Sequence, residues 1–192
     1  MFLNLLRLVV AKAYHYITEG HHQERPTRAL MSTNDPGIHA VLSPAAKVAD
    51  GLFLGSCVAA ATLPDRAAVV NVTCHLPIFS PSYSIRVKVD DCAGAHLFRN
   101  DVWLAERTML FIHLHRRSRP VLVHCFAGRS RSCAVVLLYL MWSCPNTYST
   151  VAGTYAYVQT CRPCVGVNHS FIFQIPGILR TLFQRTHQVA RV

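Results

Sequence analysis

Apolar positions along this chain follow two different spacings. Short apolar runs bounded by turn residues fall at 51–54, 68–73, 83–89 and 120–124, and longer stretches with apolar residues at helical spacing fall at 57–63, 101–115, 131–143, 148–160 and 169–186. Val69-Val70-Asn71-Val72-Thr73 and Pro120-Val121-Leu122-Val123 are short apolar runs that read as strands, the first of them buried. Cys133 to Trp142 is an apolar run of helical length. Strand-like and helix-like stretches in alternation predict one α/β domain, a central mixed sheet flanked by helices. No internal repeat or low-complexity tract interrupts the pattern.

The amino-terminal part stands apart from that pattern. Phe2, Leu3, Leu5, Leu6, Leu8, Val9, Val10, Tyr14 and Ile17 leave Asn4, Arg7, Lys12, His15 and Thr18 as a narrow polar strip, so residues 1–19 read as an amphipathic helix. Arg7 and Lys12 leave its apolar run too short and too charged to span a bilayer. Three readings fit it: a helix packed on the domain or on a second copy of the chain, a membrane-surface helix, and a basic targeting segment. The packed helix is favoured, which admits a homodimer through this helix; membrane-surface contact is the alternative. Residues 20–42, with Pro26, Pro36 and Gly37, read as a linker, the folded domain as 43–186, and 187–192 as a basic tail.

Composition narrows the class. The 192 residues suit a single domain, and 52% hydrophobic with 15% charged residues excludes a disordered chain. The formal charge of +10 favours phosphorylated or otherwise anionic partners, though by itself it names none; nucleic acid is not the expected partner. There are eight cysteines, but no convincing signal-peptide pattern is present, so a reducing intracellular location is expected, most simply cytoplasmic, with a nuclear or membrane-apposed one as the alternatives. Cys161-Arg162-Pro163-Cys164 has metal-ligand spacing, but no second such pair exists and it reads as two structural thiols. Asn71-Val72-Thr73 matches a glycosylation acceptor, yet lies in an expected buried strand and is set aside.

The chemistry concentrates in residues 123–133, Val-His-Cys-Phe-Ala-Gly-Arg-Ser-Arg-Ser-Cys. A strand ends in His124-Cys125, a glycine-containing loop follows, and a helix opens at Arg131 and Ser132. Such a turn gathers backbone N–H groups around one point, and the helix dipole adds positive potential there. A thiol at the head of the loop feels the same field, which lowers its pKa and makes it nucleophilic. Arg131 adds a planar fork matched to two phosphoryl oxygens. A buried cysteine after a strand is ordinarily a core hydrophobe; here His124, Ala127-Gly128 and the Ser130-Arg131-Ser132 ending coincide with the strand–loop–helix setting, and a nucleophile within a phosphate cradle is the stronger reading.

The string His124-Cys125-x-Ala127-Gly128-x-Ser130-Arg131-Ser132 resembles the signature of the dual-specificity phosphatases, in the cysteine-based protein tyrosine phosphatase superfamily. Asp50-Gly51-Leu52-Phe53-Leu54-Gly55-Ser56 with Ala59-Ala60, Val69 to Thr73, Val87-Lys88-Val89-Asp90-Asp91, Arg162-Pro163 and Asn168-x-x-Phe171-x-x-Gln174 are similar to the family's other segments in order and spacing. The match runs from about Ser43 to about Leu182, and the small atypical members, which are bare catalytic domains, are the nearest group. Two departures stand out. The interval from Asp91 to Cys125 is a few residues longer than in many members, and position 129 is arginine where an apolar or small residue is commoner.

The resemblance implies a metal-independent phosphatase that needs no cofactor. Cys125 would attack phosphorus to form a cysteinyl phosphate, and the N–H groups of Phe126, Ala127, Gly128, Arg129, Ser130 and Arg131 would hold the equatorial oxygens. Asp91, at the family's offset after its strand, would protonate the leaving group and then activate water, with the adjacent Asp90 as the alternative. Ser132 would hydrogen-bond the thiolate and ease its departure. His124 would tune the cysteine from the buried side, Ser130 would shape the loop, and Asn168 would be a structural contact. Asp101 reads as an ordinary helix N-terminal residue. The expected substrate is a phosphoprotein, with phosphotyrosine and phosphoserine/phosphothreonine hydrolysed. Arg129 and the net charge keep a phospholipid, phosphoinositide or RNA 5′-phosphate substrate as the rival, and the longer acid-loop interval keeps a non-hydrolysing phosphate-binding scaffold as a third reading.

Overall fold

The computed structural model describes residues 36–64, 66–78 and 81–189. The amphipathic segment 1–19 and the first part of the linker, 20–35, lie outside the described residues, as do 190–192 of the tail. Five strands form one mixed sheet in the order β1-β2-β5-β3-β4: β1 Ala46–Ala49, β2 Leu52–Gly55, β3 Ala68–Asn71, β4 Ser84–Arg86 and β5 Val121–His124. β1 is antiparallel to β2, and the other pairings are parallel. Helices α1 Pro36–Leu42, α2 Cys57–Ala61, α3 Val102–His115, α4 Arg131–Ser143, α5 Val151–Cys161 and α6 His169–Val189 cover the sheet.

The fully buried β5 explains the layering. Val121 and Val123 point into the main core with Leu52 and Leu54 of β2 and Ala68 and Val70 of β3, where α3, α4 and α6 supply Met109, Leu137 and Phe171. Leu122 points the other way, into a smaller cluster with Ala59 and Ala60 of α2 and Phe53. Period-two alternation thus buries both faces, which is why these strands read as continuous apolar runs. Residues Cys133 to Met141 of α4 are all buried, so this helix is apolar all round and forms the spine of the main layer. At about 1.5–3 kcal/mol per buried large aliphatic side chain, that spine anchors the end of the loop that precedes it.

Several expectations are corrected. Residues 46–49, unassigned in the sequence, form β1; Ala-Lys-Val-Ala has little amphipathic contrast, and its strand character comes from pairing with β2 across the Asp50–Gly51 turn. Residues 36–42 are helical rather than linker, because Ala40 and Val41 are buried and their carbonyls are bonded by Arg162 and Ser56. The run 68–73 is paired as a strand only to Asn71, and 83–89 only over 84–86, although Val87 and Val89 remain buried and alternate with exposed neighbours. The fourth helix of the sequence pattern starts at Val151, where Thr150 caps it, rather than at 148. The last helix continues through Pro176 to Val189, taking in residues 187–189 that were expected in the tail.

Candidate active site

Gly55, His124 and Asn71 stand in register on β2, β5 and β3, so the sheet ends there as one ledge. Cys125 follows directly, at the carboxyl edge of the central strand, where open α/β sheets bind ligands. The chain then turns through Phe126–Ser130 into α4. Gly128 makes the turn possible: its φ is +69°, and a Cβ there would lie 2.4 Å from the Gly55 carbonyl oxygen. A cleft of about 360 Å³ opens over the loop, lined by Asp91, Cys125, Phe126, Ala127, Arg129, Ser130, Arg131, Gly166, Val167 and Asn168.

Cys125 is 2% exposed, and the Ser132 hydroxyl donates to its sulfur at 3.2 Å. Burial alone would raise the thiol pKa, but the Arg131 guanidinium, the Ser132 hydroxyl and the N–H groups of Ser132 and Gly128 together outweigh it, and the net shift is downward. The other thiols near it behave in the opposite way. Burial, then the neighbouring Cys125 charge, pushes Cys57 up to about 11 and Cys133 higher still. All eight cysteines are free thiols, including Cys161 and Cys164.

The two candidate carboxylates part company. The Asp91 Oδ1 accepts the Ser130 hydroxyl at 2.8 Å, and its Oδ2 lies 3.4 Å from Arg131 Nε. Asp90 turns to the other side of the segment, where its Oδ1 accepts the Cys74 thiol at 3.3 Å. The alternation of Val87 and Val89 into the core and Lys88 and Asp90 outward accounts for this divergence. Arg131 is 6% exposed, with Nη1 donating to the Val89 carbonyl at 3.4 Å, so the Asp91 segment and the loop arginine are held together. Asp101 caps α3, its carboxylate accepting from Leu104 N–H at 3.0 Å, and lies outside the cleft lining.

His124 is fully buried; desolvation above all lowers its pKa to about 4, assisted by Arg86 and Arg131 and opposed by its bond to the Cys125 carbonyl. It is a neutral imidazole at neutral pH. Arg129 is less free than a rim charge: its Nε donates to the Cys164 carbonyl at 2.9 Å and its own carbonyl accepts from Gly166, so it walls the cleft. Asn168 N–H donates to the Ser130 hydroxyl, which in turn donates to Asp91, and the Asn168 side chain donates to the Cys92 carbonyl at 2.9 Å. Asn71 is buried and donates its amide to the Pro77 carbonyl at 3.0 Å, which leaves no accessible nitrogen for a glycan.

Two supports were not apparent from sequence. Arg162 is 3% exposed and donates to the carbonyls of Gly128, Ala127, Ala40 and Pro44 at 2.8–3.1 Å, gripping the loop from beneath. Gln174 and Ser170 of α6 bind the backbone of Ala95, Leu97 and Gly94, which fastens the segment after Asp91 to the helix that Asn168 begins. Arg162-Pro163 and Gln174 lie in segments similar to the family's, but their supporting roles had no signal in sequence because their partners are remote along the chain.

A thiol of lowered pKa at the carboxyl edge of a parallel strand, beside loop amides and an arginine, has the chemistry of a nucleophile in an anion cradle. The dual specificity phosphatase catalytic domain matches residues 52–178, and the chain belongs to the dual-specificity phosphatases. It is similar to dual specificity protein phosphatase 1 of Arabidopsis thaliana, 31% identical over 144 residues, covering 70% of this chain and 69% of that one. Human DUSP28 superposes with a TM-score of 0.60 at 28% identity, over 73% of this chain and 99% of that one. PTPMT1, solved in complex with PI(5)P, shares the fold with a TM-score of 0.58 at 15% identity, over 75% of this chain and 99% of that one. The chain spans between 15% and 69% of the length of the curated relatives it matches. No described helix is long and apolar enough to cross a membrane.

Proposed function

We propose that the chain hydrolyses phosphotyrosine and phosphoserine/phosphothreonine in proteins through a cysteinyl-phosphate intermediate, without a metal. The observation that carries this reading is the Cys125 sulfur, 3.2 Å from the Ser132 hydroxyl, with its pKa held down by Arg131 and the loop amides. The thiolate attacks phosphorus in line, and the equatorial oxygens take the N–H groups of residues 126–131 and the Arg131 guanidinium. As the S–P bond forms, the P–O bond to the substrate breaks, and Asp91, in its protonated form, gives the departing oxygen its proton. Water then attacks the phosphocysteine, Asp91 takes the water proton, and sulfur leaves as thiolate toward the Ser132 hydroxyl. The Ser130 bond to Asp91 links the position of the acid to that of the loop.

The test is release of nitrophenolate from 4-nitrophenyl phosphate in the presence of a chelator. Cys125→Ser and Arg131→Lys are expected to abolish it; undiminished turnover in Cys125→Ser ends the proposal. A lipid phosphate is the second reading, favoured by Arg129 in the cleft wall, the net charge of +10 and the phosphoinositide in the PTPMT1 complex. Phosphate release compared across phosphopeptides, phosphoinositides and triphosphorylated RNA separates the substrates. Tight phosphopeptide binding with no release over hours would mark a scaffold instead.

A further inference from the structure

We propose that Cys74, His75 and Asp90 form a three-ligand site for a borderline divalent cation such as zinc(II), with the fourth position open to water. Cys74 and His75 lie on the turn after β3, and Asp90 lies on the segment that runs from β4 to Asp91. One donor atom of each residue, the Cys74 sulfur, a His75 ring nitrogen and an Asp90 carboxylate oxygen, lies within 4.8 Å of the other two. The Cys74 Sγ to Asp90 Oδ1 separation is 3.3 Å. Zinc–sulfur and zinc–oxygen bonds of about 2.3 and 2.1 Å at the tetrahedral angle put sulfur and oxygen about 3.6 Å apart. That pair therefore already spans approximately one edge of a zinc tetrahedron. His75 and Asp90 are exposed, and the third donor already lies within 4.8 Å of the other two.

The donor set selects the ion. Thiolate, imidazole and carboxylate together suit zinc, whereas magnesium and calcium demand oxygen donors. The backbone that presents the ligands is braced beforehand. Arg86 donates to the Cys74 carbonyl at 3.0 Å and to the Leu76 carbonyl at 2.5 Å, on either side of His75, and Leu76 N–H donates to the Thr73 hydroxyl at 3.3 Å. On binding, the cation displaces the thiol proton to water and takes its place between sulfur and carboxylate. The bound ion would tie the β3 turn to the residue next to Asp91. None of the three ligands lines the cleft over the cysteine loop, so the site and the phosphatase reading stand or fall separately.

Cobalt(II) titrated into the reduced full chain carrying Cys125→Ser, which removes the low-pKa thiol, reads the site directly. Uptake of one equivalent is expected, with a near-ultraviolet thiolate-to-cobalt band, intense visible bands of tetrahedral type, and displacement by zinc. Cys74→Ser in that background should abolish the charge-transfer band. His75→Ala and Asp90→Asn should each weaken binding at least about tenfold, no less than the loss of an outer-shell partner costs, while Cys161→Ser leaves it unchanged. His75 and Asp90 are exposed, so those two variants keep the test free of folding effects. A band that survives Cys74→Ser, binding indifferent to His75→Ala, or no cobalt uptake overturns the proposal.

Discussion

Replacing Arg162 by methionine tests whether the cysteine loop is held in shape from below. The side chain is 3% exposed and its guanidinium makes four bonds, to Gly128, Ala127, Ala40 and Pro44. Two of them, to Gly128 and Ala40, are buried, and the variant leaves those carbonyls without that donor at about 1–3 kcal/mol each. The bonds to Pro44 and Ala127 are only partly buried, so water can replace much of what they contribute. A loss of about 3–5 kcal/mol results, a large part of the stability of a single domain. In a domain of this size that lowers Tm by roughly 6–20 °C. Lysine should recover little, because a point-like ammonium cannot serve four carbonyls on two separate segments. Urea unfolding followed by circular dichroism gives the stability. Hydrolysis of 4-nitrophenyl phosphate at a temperature where the variant stays folded gives the function, with kcat expected to fall because the loop amides lose their common focus. A loss below about 1 kcal/mol would refute the energetic argument. Full destabilisation with unchanged kcat would show that Arg162 secures α1 and not the loop.

Three further outcomes follow from particular contacts. Gly128→Ala places a methyl group against the Gly55 carbonyl at a φ that L-residues avoid, so stability should fall by at least about 2 kcal/mol and turnover should collapse; a fully active variant would mean the loop has another conformation available. His124 has a folded pKa of about 4 against an ordinary 6.5, so the unfolded chain takes up its proton first. Its contribution is therefore complete above about pH 6.5 and is lost as pH falls toward 4, by up to about 3 kcal/mol, and urea midpoints measured across that window should flatten in His124→Asn. Asp91→Asn should slow hydrolysis of alkyl phosphates by about 10²–10⁴-fold and of activated aryl phosphates far less; if Asp90→Asn shows that leaving-group dependence instead, the acid is Asp90.

The cysteine loop was legible because its chemistry is local. Cys125, Gly128, Arg131 and Ser132 sit within eight consecutive residues, between a β-branched run and an apolar helix whose boundaries, 131–143, the pattern located correctly. The fold class was legible for a related reason, since burial on both faces of β5 and all around α4 leaves uninterrupted apolar runs in the chain. What lay beyond sequence were arrangements made by residues far apart in it. β1 has no pattern of its own and exists because β2 folds back on it. α1 is held by Arg162, more than a hundred residues away, and by the Ser56 hydroxyl. The partners of Asp90 and Asp91 depended on which way each side chain leaves an irregular segment beyond the paired strand, and two adjacent aspartates look alike until tertiary packing gives them different neighbours. Sequence alone therefore determined which groups could do chemistry, because bonding along the chain keeps them together; tertiary structure decided which of them meet, because hydrogen bonds and ion pairs act over a few ångströms of space regardless of separation along the chain.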